Sequence, residues 1–114
     1  MIDKEELQRR ARMTRIPYAL SRGQRGLRIS TVMIAMDAAA IRASLMFNGQ
    51  LRKARIMLAS HIYEREISSY NELTDAELDV LSVWSESPQA IEQIADWMQK
   101  TFGKQLSLIE GQDG

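Results

Sequence analysis

The sequence predicts an all-α protein, an irregular bundle of four to five helices in a single domain. Apolar residues recur at helical spacing through most of the 114 residues, and no useful length of chain alternates polar with apolar residues. Local helix-start signals recur as well, the clearest being Thr74 with Glu77 three residues later. With 45% hydrophobic and 26% charged residues, the composition is that of a folded globular protein.

The first third of the chain predicts one helix followed by a loop. Asp3 followed by Glu6 is typical of a helix start. Pro17 disfavours helical geometry at the residue before it, so we expect this helix to end near Arg15. The stretch Ser21–Arg28 contains two glycines and three arginines. Its composition indicates a loop or a frayed helix end.

The middle of the chain predicts two long helices. From Ser30 or Thr31 to Phe47 the residues are apolar nearly all round, as expected for a helix at the centre of the fold. Asn48-Gly49 supplies a left-handed stop. Two adjacent apolar stripes then predict a second helix from about Gln50 to Ser69. The short connection favours an antiparallel pair.

The last third predicts two shorter helices and a tail. Thr74 and Glu77 form a T-x-x-E capping box at the start of the first of them. Pro88 stands at the first position of the second, where its missing N–H costs nothing. Gly103 is expected to close that helix. Residues 105–114 are expected to form a loose tail.

These elements give one domain with four segments. The expected segments are a basic, arginine-rich segment at 1–28, a central helical hairpin at 29–70, an acidic helical hairpin at 71–104 and the tail at 105–114.

The composition and the order of residues also predict the cellular compartment of the protein. The chain contains no cysteine, which excludes disulfides, thiolate zinc sites and cysteine nucleophiles and suits a reducing compartment. Its opening residues are acidic and lack the basic start and apolar stretch of a secretory signal. The most apolar run, 29–47, contains Asp37 and Arg42, each costly at the centre of a bilayer. We therefore expect a cytoplasmic protein that makes no membrane contact.

No pattern in the sequence predicts catalysis, a metal centre or a cofactor. His61 is the single histidine, and with Glu64 it supplies two ligands where zinc takes three or four. No serine or lysine has a recognisable activating base, and no phosphate-loop signature is present. We therefore predict a non-enzymatic protein without a small-molecule substrate. Asp37, set in its apolar run, is expected to pair with an arginine of another helix.

The net charge of zero conceals a strong asymmetry along the chain. Residues 1–28 hold eight basic and three acidic residues, a net charge of +5. Residues 29–70 carry +2, whereas residues 71–114 hold two lysines against nine acids, a net charge of −7. Such asymmetry between the parts of a chain points to a charged partner.

The basic segment predicts contact with a nucleic-acid backbone. Arginine's planar fork suits bidentate contact with phosphate. Gly23 and Gly26 would let backbone N–H groups approach an anion closely, and Tyr18 would stack on a base. The expected function is that of a small accessory protein in a larger nucleoprotein assembly, binding without reading sequence. The candidate contact residues are Arg9, Arg12, Arg15, Tyr18, Arg22, Arg25 and Arg28.

The alternative is a protein-interaction or self-assembly module with no nucleic-acid contact, such as a viral or plasmid-type structural or regulatory component. The acidic residues of the last third would then meet the basic segment, either within one molecule or head to tail between copies. Expected partner-binding residues are Glu77, Asp79, Glu92 and Asp96. A protein partner or a homo-oligomer is expected in either case.

Overall fold

The computed structural model describes residues 1–106, which form five α-helices, one short 3-10 helix and no strand. This confirms the predicted all-α bundle. The predicted tail lies mostly outside the described residues. The helices are α1 (Lys4–Met13), α2 (Arg22–Arg42), α3 (Leu51–Tyr63), α4 (Asp75–Ser85) and α5 (Pro88–Leu106), and the 3-10 helix Tyr70–Glu72 connects α3 to α4.

The long helix α2 is the centre of the bundle. It packs against α3, α4 and α5, while α1 lies across α3 and α4. Small residues on its inner side, among them Ala35 and Ala39, let the neighbouring helices approach closely. The core is formed by fully buried residues of four helices, namely Val32, Met36, Leu58, Ile62, Leu78, Leu81, Ile94 and Met98.

Capping side chains fix the helix starts, as the sequence predicts for α4. The Thr74 hydroxyl accepts a hydrogen bond from the Glu77 N–H at 3.1 Å, and the Glu77 carboxylate accepts one from the Thr74 N–H at 2.9 Å. α5 begins at Pro88, and the Ser87 hydroxyl accepts a hydrogen bond from the Ala90 N–H at 3.1 Å. Both predicted starts are confirmed.

The start of α2 corrects the prediction of a loop or a frayed helix end over Ser21–Arg28. The helix begins at Arg22, because Ser21 and Gln24 form a reciprocal capping box. Gly23 and Gly26 lie inside its first two turns. A methyl group added at Gly26 would meet no atom within 4 Å, so neither steric need nor a turn explains this glycine.

Three helix ends also differ from the prediction. α2 ends at Arg42 rather than near Phe47, and α3 ends at Tyr63 rather than Ser69. Glu64 takes the left-handed conformation there, with φ at 52°. α2 likewise ends in a left-handed cap, since Ser44 has φ at 58° and the Leu45 N–H donates to the Ala40 carbonyl oxygen at 3.0 Å. α5 continues through Gly103 to Leu106, so that glycine does not close it.

None of the helices within residues 1–106 has both the length and the apolar character required to cross a bilayer.

Candidate nucleic-acid interface and neighbouring surfaces

Half of the basic residues at 1–28 are neutralised by the protein's own carboxylates. The four ion pairs are Lys4–Glu64 at 3.8 Å, Arg9–Glu6 at 2.6 Å, Arg25–Asp75 at 2.6 Å and Arg28–Asp79 at 2.9 Å. Two of them join α2 to the acidic helix α4. The basic and acidic parts of the chain therefore meet within one molecule, which is one of the arrangements that the charge asymmetry predicts.

Arg25 clamps the start of α2 to the start of α4. Besides its ion pair with Asp75, its Nη2 donates to the carbonyl oxygens of Tyr70 at 2.8 Å and Leu73 at 2.9 Å. The second Asp75 oxygen accepts a hydrogen bond from the Leu20 N–H at 2.9 Å. The Leu20 N–H, together with Arg25, lowers the pKa of the Asp75 carboxyl below its ordinary value. Arg25 therefore stabilises the packing of α2 against α4.

Arg28 continues the same contact one turn along α2. Its Nε donates to Asp79, and its Nη1 donates to the carbonyl oxygen of Gln24 at 3.1 Å. Both side chains of the ion pair are about one quarter exposed. Asp79, predicted as a partner-binding residue, is thus already occupied by an arginine of its own chain.

The remaining four arginines have no carboxylate partner within residues 1–106. Arg12, Arg15 and Arg22 are exposed, and Arg10 is half-buried. Tyr18 lies among them in the chain, with 83% of its surface exposed. These residues occupy the last turns of α1, the connection after it and the first turn of α2. We call Arg10, Arg12, Arg15, Tyr18 and Arg22 the basic strip.

The structure narrows the glycine contribution to this surface. An exposed glycine loop would present several backbone N–H groups to an anion. Here Gly26 lies in the second turn of α2, where its N–H is used within the helix, while Gly23 lies in the first turn, whose N–H groups have no helical partner. The close approach of a glycine backbone to phosphate stays a prediction at Gly23.

Every acidic residue predicted to bind a partner takes part in an internal ion pair. Glu77 binds Arg65 with 2.7 Å between Oε1 and Nη2, Glu92 binds Arg42 at 2.8 Å, and Asp96 binds Lys100 at 3.0 Å. The last two pairs are at least half exposed, so they contribute little to stability. Whether any of these acids meets a partner stays a prediction.

Glu77 differs from the other three acidic residues because it makes hydrogen bonds with several groups. Burial acts to raise its pKa, but the Arg65 guanidinium and the Thr74 N–H outweigh burial and lower the pKa overall. The backbone carbonyl of the same residue accepts a hydrogen bond from the Tyr63 hydroxyl at 2.6 Å. Glu77 thus joins α4 to the end of α3.

An exposed apolar stripe runs along the outer side of α2. Leu27 and Ile34 are 70% exposed and Ile41 is 80% exposed, although the sequence predicts a helix buried all round. The three residues are seven positions apart, two full helical turns, so they share one face. Asp37 lies on the exposed side of the same helix and pairs with no residue of 1–106, contrary to the prediction of an arginine partner. We call Leu27, Ile34 and Ile41 the α2 stripe.

Arg55 is a second feature that sequence reasoning missed. It lies on the inner side of α3 and is only 8% exposed. Its guanidinium carbon is 4.5 Å from the centroid of the Tyr70 ring, and the Tyr70 hydroxyl donates to the Arg55 carbonyl oxygen at 3.0 Å. Burial lowers the pKa of Arg55, and the charge of Arg52 lowers it further. An arginine between Ala54 and Ile56 gives no local signal of burial, because helical rotation alone decides its direction.

His61 packs against an aromatic ring. Its imidazole centroid is 5.9 Å from that of the Trp97 ring, and burial lowers its pKa. Glu64, its possible co-ligand, accepts a hydrogen bond from Gln8 at 2.6 Å. Over residues 1–106, no three histidine, aspartate or glutamate side chains come together as a possible metal site.

Comparisons with protein-family models, with curated proteins and with solved structures gave no match.

Proposed function

We propose that this protein is a non-enzymatic helical accessory protein that contacts a nucleic-acid backbone through the basic strip. The observation that supports the proposal is the set of four arginines that pair with no carboxylate of residues 1–106 and lie on either side of the exposed Tyr18 in the chain. An unpaired exposed guanidinium keeps its donors available to phosphate oxygens. The proposed contact surface contains fewer residues than the sequence predicts.

Arg9, Arg25 and Arg28 are left out of the proposed contact. Each already binds a carboxylate of the same chain at 2.9 Å or less. Binding phosphate with Arg25 would also withdraw a donor from two backbone carbonyls. An unpaired buried acceptor is costly, so the Arg25 contacts are expected to persist in any complex.

The composition of the strip favours single-stranded nucleic acid. An exposed aromatic ring in a segment rich in cationic side chains provides a stacking surface for a base, and a base paired in a duplex is less available to it. Arg22 lies in the first turn of α2, which contains no acidic residue, so the helix N-terminus adds to the local positive potential. The backbone would run past α1 and the start of α2.

Binding of a labelled single-stranded oligonucleotide, measured at several salt concentrations, tests this proposal. Replacing Arg12, Arg15 and Arg22 by alanine is expected to weaken binding at least about tenfold at low salt. It should also reduce the slope of log affinity against log salt by about 2, since each single-strand phosphate contact contributes about 0.7. Tyr18→Ala is expected to weaken binding about tenfold through lost stacking.

A matched variant removes the same charge from another surface. Arg42, Lys100 and Lys104 are exposed and lie away from the strip in the chain, so their replacement by alanine should leave the salt slope nearly unchanged. The proposal fails if the strip variant binds like the wild type. It also fails if the matched variant loses as much affinity.

The α2 stripe favours a second function, self-assembly through a second copy of this chain. Its spacing is symmetric about Ile34, with one bulky residue seven positions to each side. A second copy, antiparallel and related by a twofold axis through Ile34, would place its Ile41 opposite Leu27. Ser30, Thr31, Asp37 and Ala38 lie between the bulky residues, and in this arrangement Asp37 would face Thr31 of the second copy. Bulky apolar side chains exposed in a row favour an interaction surface.

A further inference from the structure

Arg55 is the only buried charged residue within residues 1–106. A buried arginine side chain normally has a carboxylate or several hydrogen-bond acceptors as partners, because a buried charge or donor without a partner is costly. None of the carboxylates in this part of the chain lies within ion-pair distance of Arg55. Its Nε has no hydrogen-bond partner at all.

The contacts that Arg55 does make position its side chain without neutralising it. The guanidinium lies against the Tyr70 ring, an attraction that leaves its N–H donors unused. The ring is itself held in place, since the Tyr70 hydroxyl donates to Arg55 O and the Tyr70 carbonyl accepts from Arg25. The result is a preorganised cation with open donors.

The surroundings of Arg55 are positive. Arg52 lies one helical turn before it on α3, and Lys53 follows Arg52; neither pairs with a carboxylate of residues 1–106. The first turn of α3 holds no acidic residue, and Gln50 offers no side-chain cap. The helix N-terminus therefore adds its own partial positive charge to that of the side chains.

We propose that Arg55 and Arg52 form a binding site for a small oxyanion, a phosphate or a carboxylate group. The fork of Arg55 would donate two hydrogen bonds to it, Tyr70 holds that fork in position, and Arg52 adds the second charge. The anion removes the repulsion between the two arginines and supplies the partner that the buried guanidinium lacks. The site lies on α3 and is independent of the basic strip.

The test is a titration of the full-length ¹⁵N-labelled protein with sodium phosphate, with sodium chloride at matched ionic strength as the reference. A saturable shift of the Arg55 Nε–Hε signal is expected. The melting temperature should rise by about 5 °C or more once phosphate exceeds its dissociation constant 100-fold. A parallel titration with acetate separates the two ligands, since an equal response to acetate identifies a carboxylate site.

Variants assign the response to the two residues. Arg55→Lys keeps the charge but loses the fork, and should abolish the saturable response. Arg52→Gln should weaken phosphate binding several-fold with Arg55 in place, which keeps the test valid if Arg55→Lys does not fold. Lys104→Gln, at an exposed cation of α5 outside both proposed sites, should change nothing. The proposal is overturned if neither phosphate nor acetate shifts the Arg55 signal beyond chloride, or if Arg52→Gln binds like the wild type.

Discussion

Arg22, Arg25 and Arg28 lie three residues apart at the start of α2, yet their surroundings differ. Arg22 is exposed and has no carboxylate partner within residues 1–106, while the other two turn toward α4 and bind Asp75 and Asp79. Their spacing alone cannot separate them, since residues three apart on a helix differ by only about 60° in direction. Contacts with α4 make Arg25 and Arg28 structural residues and leave Arg22 available for binding.

Replacing Arg25 by alanine is expected to lower the free energy of unfolding by about 2–3 kcal/mol. Two backbone carbonyls, those of Tyr70 and Leu73, would lose a charged donor in a partly buried setting. Urea denaturation followed by far-UV circular dichroism measures the loss. Arg22→Ala is the matched control and should stay within about 0.5 kcal/mol of the wild type. Equal effects of the two substitutions would contradict the structural role given to Arg25.

At the scale of the element, caps rather than composition decide where helices begin. The Thr74–Glu77 capping box can be recognised in the sequence because both residues have strong cap preferences and follow a connecting segment. The Ser21–Gln24 box is harder to recognise, since two glycines and three arginines follow it and suggest a loop. Glycines at 23 and 26 cost the helix about 1 kcal/mol each relative to alanine. The Arg25 and Arg28 contacts with α4 offset that cost.

Thr74→Ala is expected to destabilise the protein by about 1 kcal/mol, because the Glu77 N–H loses its acceptor at the start of α4. Thr74 is exposed, so little packing is lost with its methyl group. Thr101→Ala, at an exposed position inside α5, should have almost no effect. Hydrogen exchange at the Glu77 amide gives a local readout and should become faster in Thr74→Ala alone. Unchanged exchange at that amide would argue against the cap.

At the scale of the whole molecule, internal pairing consumes part of the charge asymmetry. The +5 and −7 segments are joined through Asp75 and Asp79, while Glu92 and Asp96 pair with Arg42 and Lys100. Head-to-tail assembly of basic and acidic segments would compete with those pairs. The α2 stripe competes with no internal contact, and a closed antiparallel dimer is the arrangement it supports.

Ile34→Lys is therefore expected to prevent self-association, because two copies of the charge would face each other at the twofold axis. Sedimentation velocity over a range of protein concentrations should show a monomer–dimer equilibrium for the wild type and a monomer for the variant. Thermal stability should change little, since Ile34 is 70% exposed in the monomer. Val83→Lys, at a half-exposed apolar residue of α4, is the control and should still dimerise. A wild type that stays monomeric at every concentration would contradict this role of the stripe.

The fold was more accessible to prediction than the site. The helical class, the start of α4 and the start of α5 depend on neighbours within a few residues, and the sequence shows those directly. The loop or frayed helix end expected at Ser21–Arg28 was wrong because the Ser21–Gln24 capping box starts a helix despite the two glycines. The α2 stripe was invisible since its apolar residues belong to a run that is apolar on every side. Arg55 gave no local sign of burial.

The sequence by itself determined that this chain is helical, where two of its helices begin and that charge is divided along it. These are properties of short-range chemistry and of composition. Only the tertiary structure decided which arginines are neutralised, which apolar residues of α2 face outward and which cation is buried. Each of these depends on how a helix is rotated about its axis, and contacts between residues far apart in the chain fix that rotation.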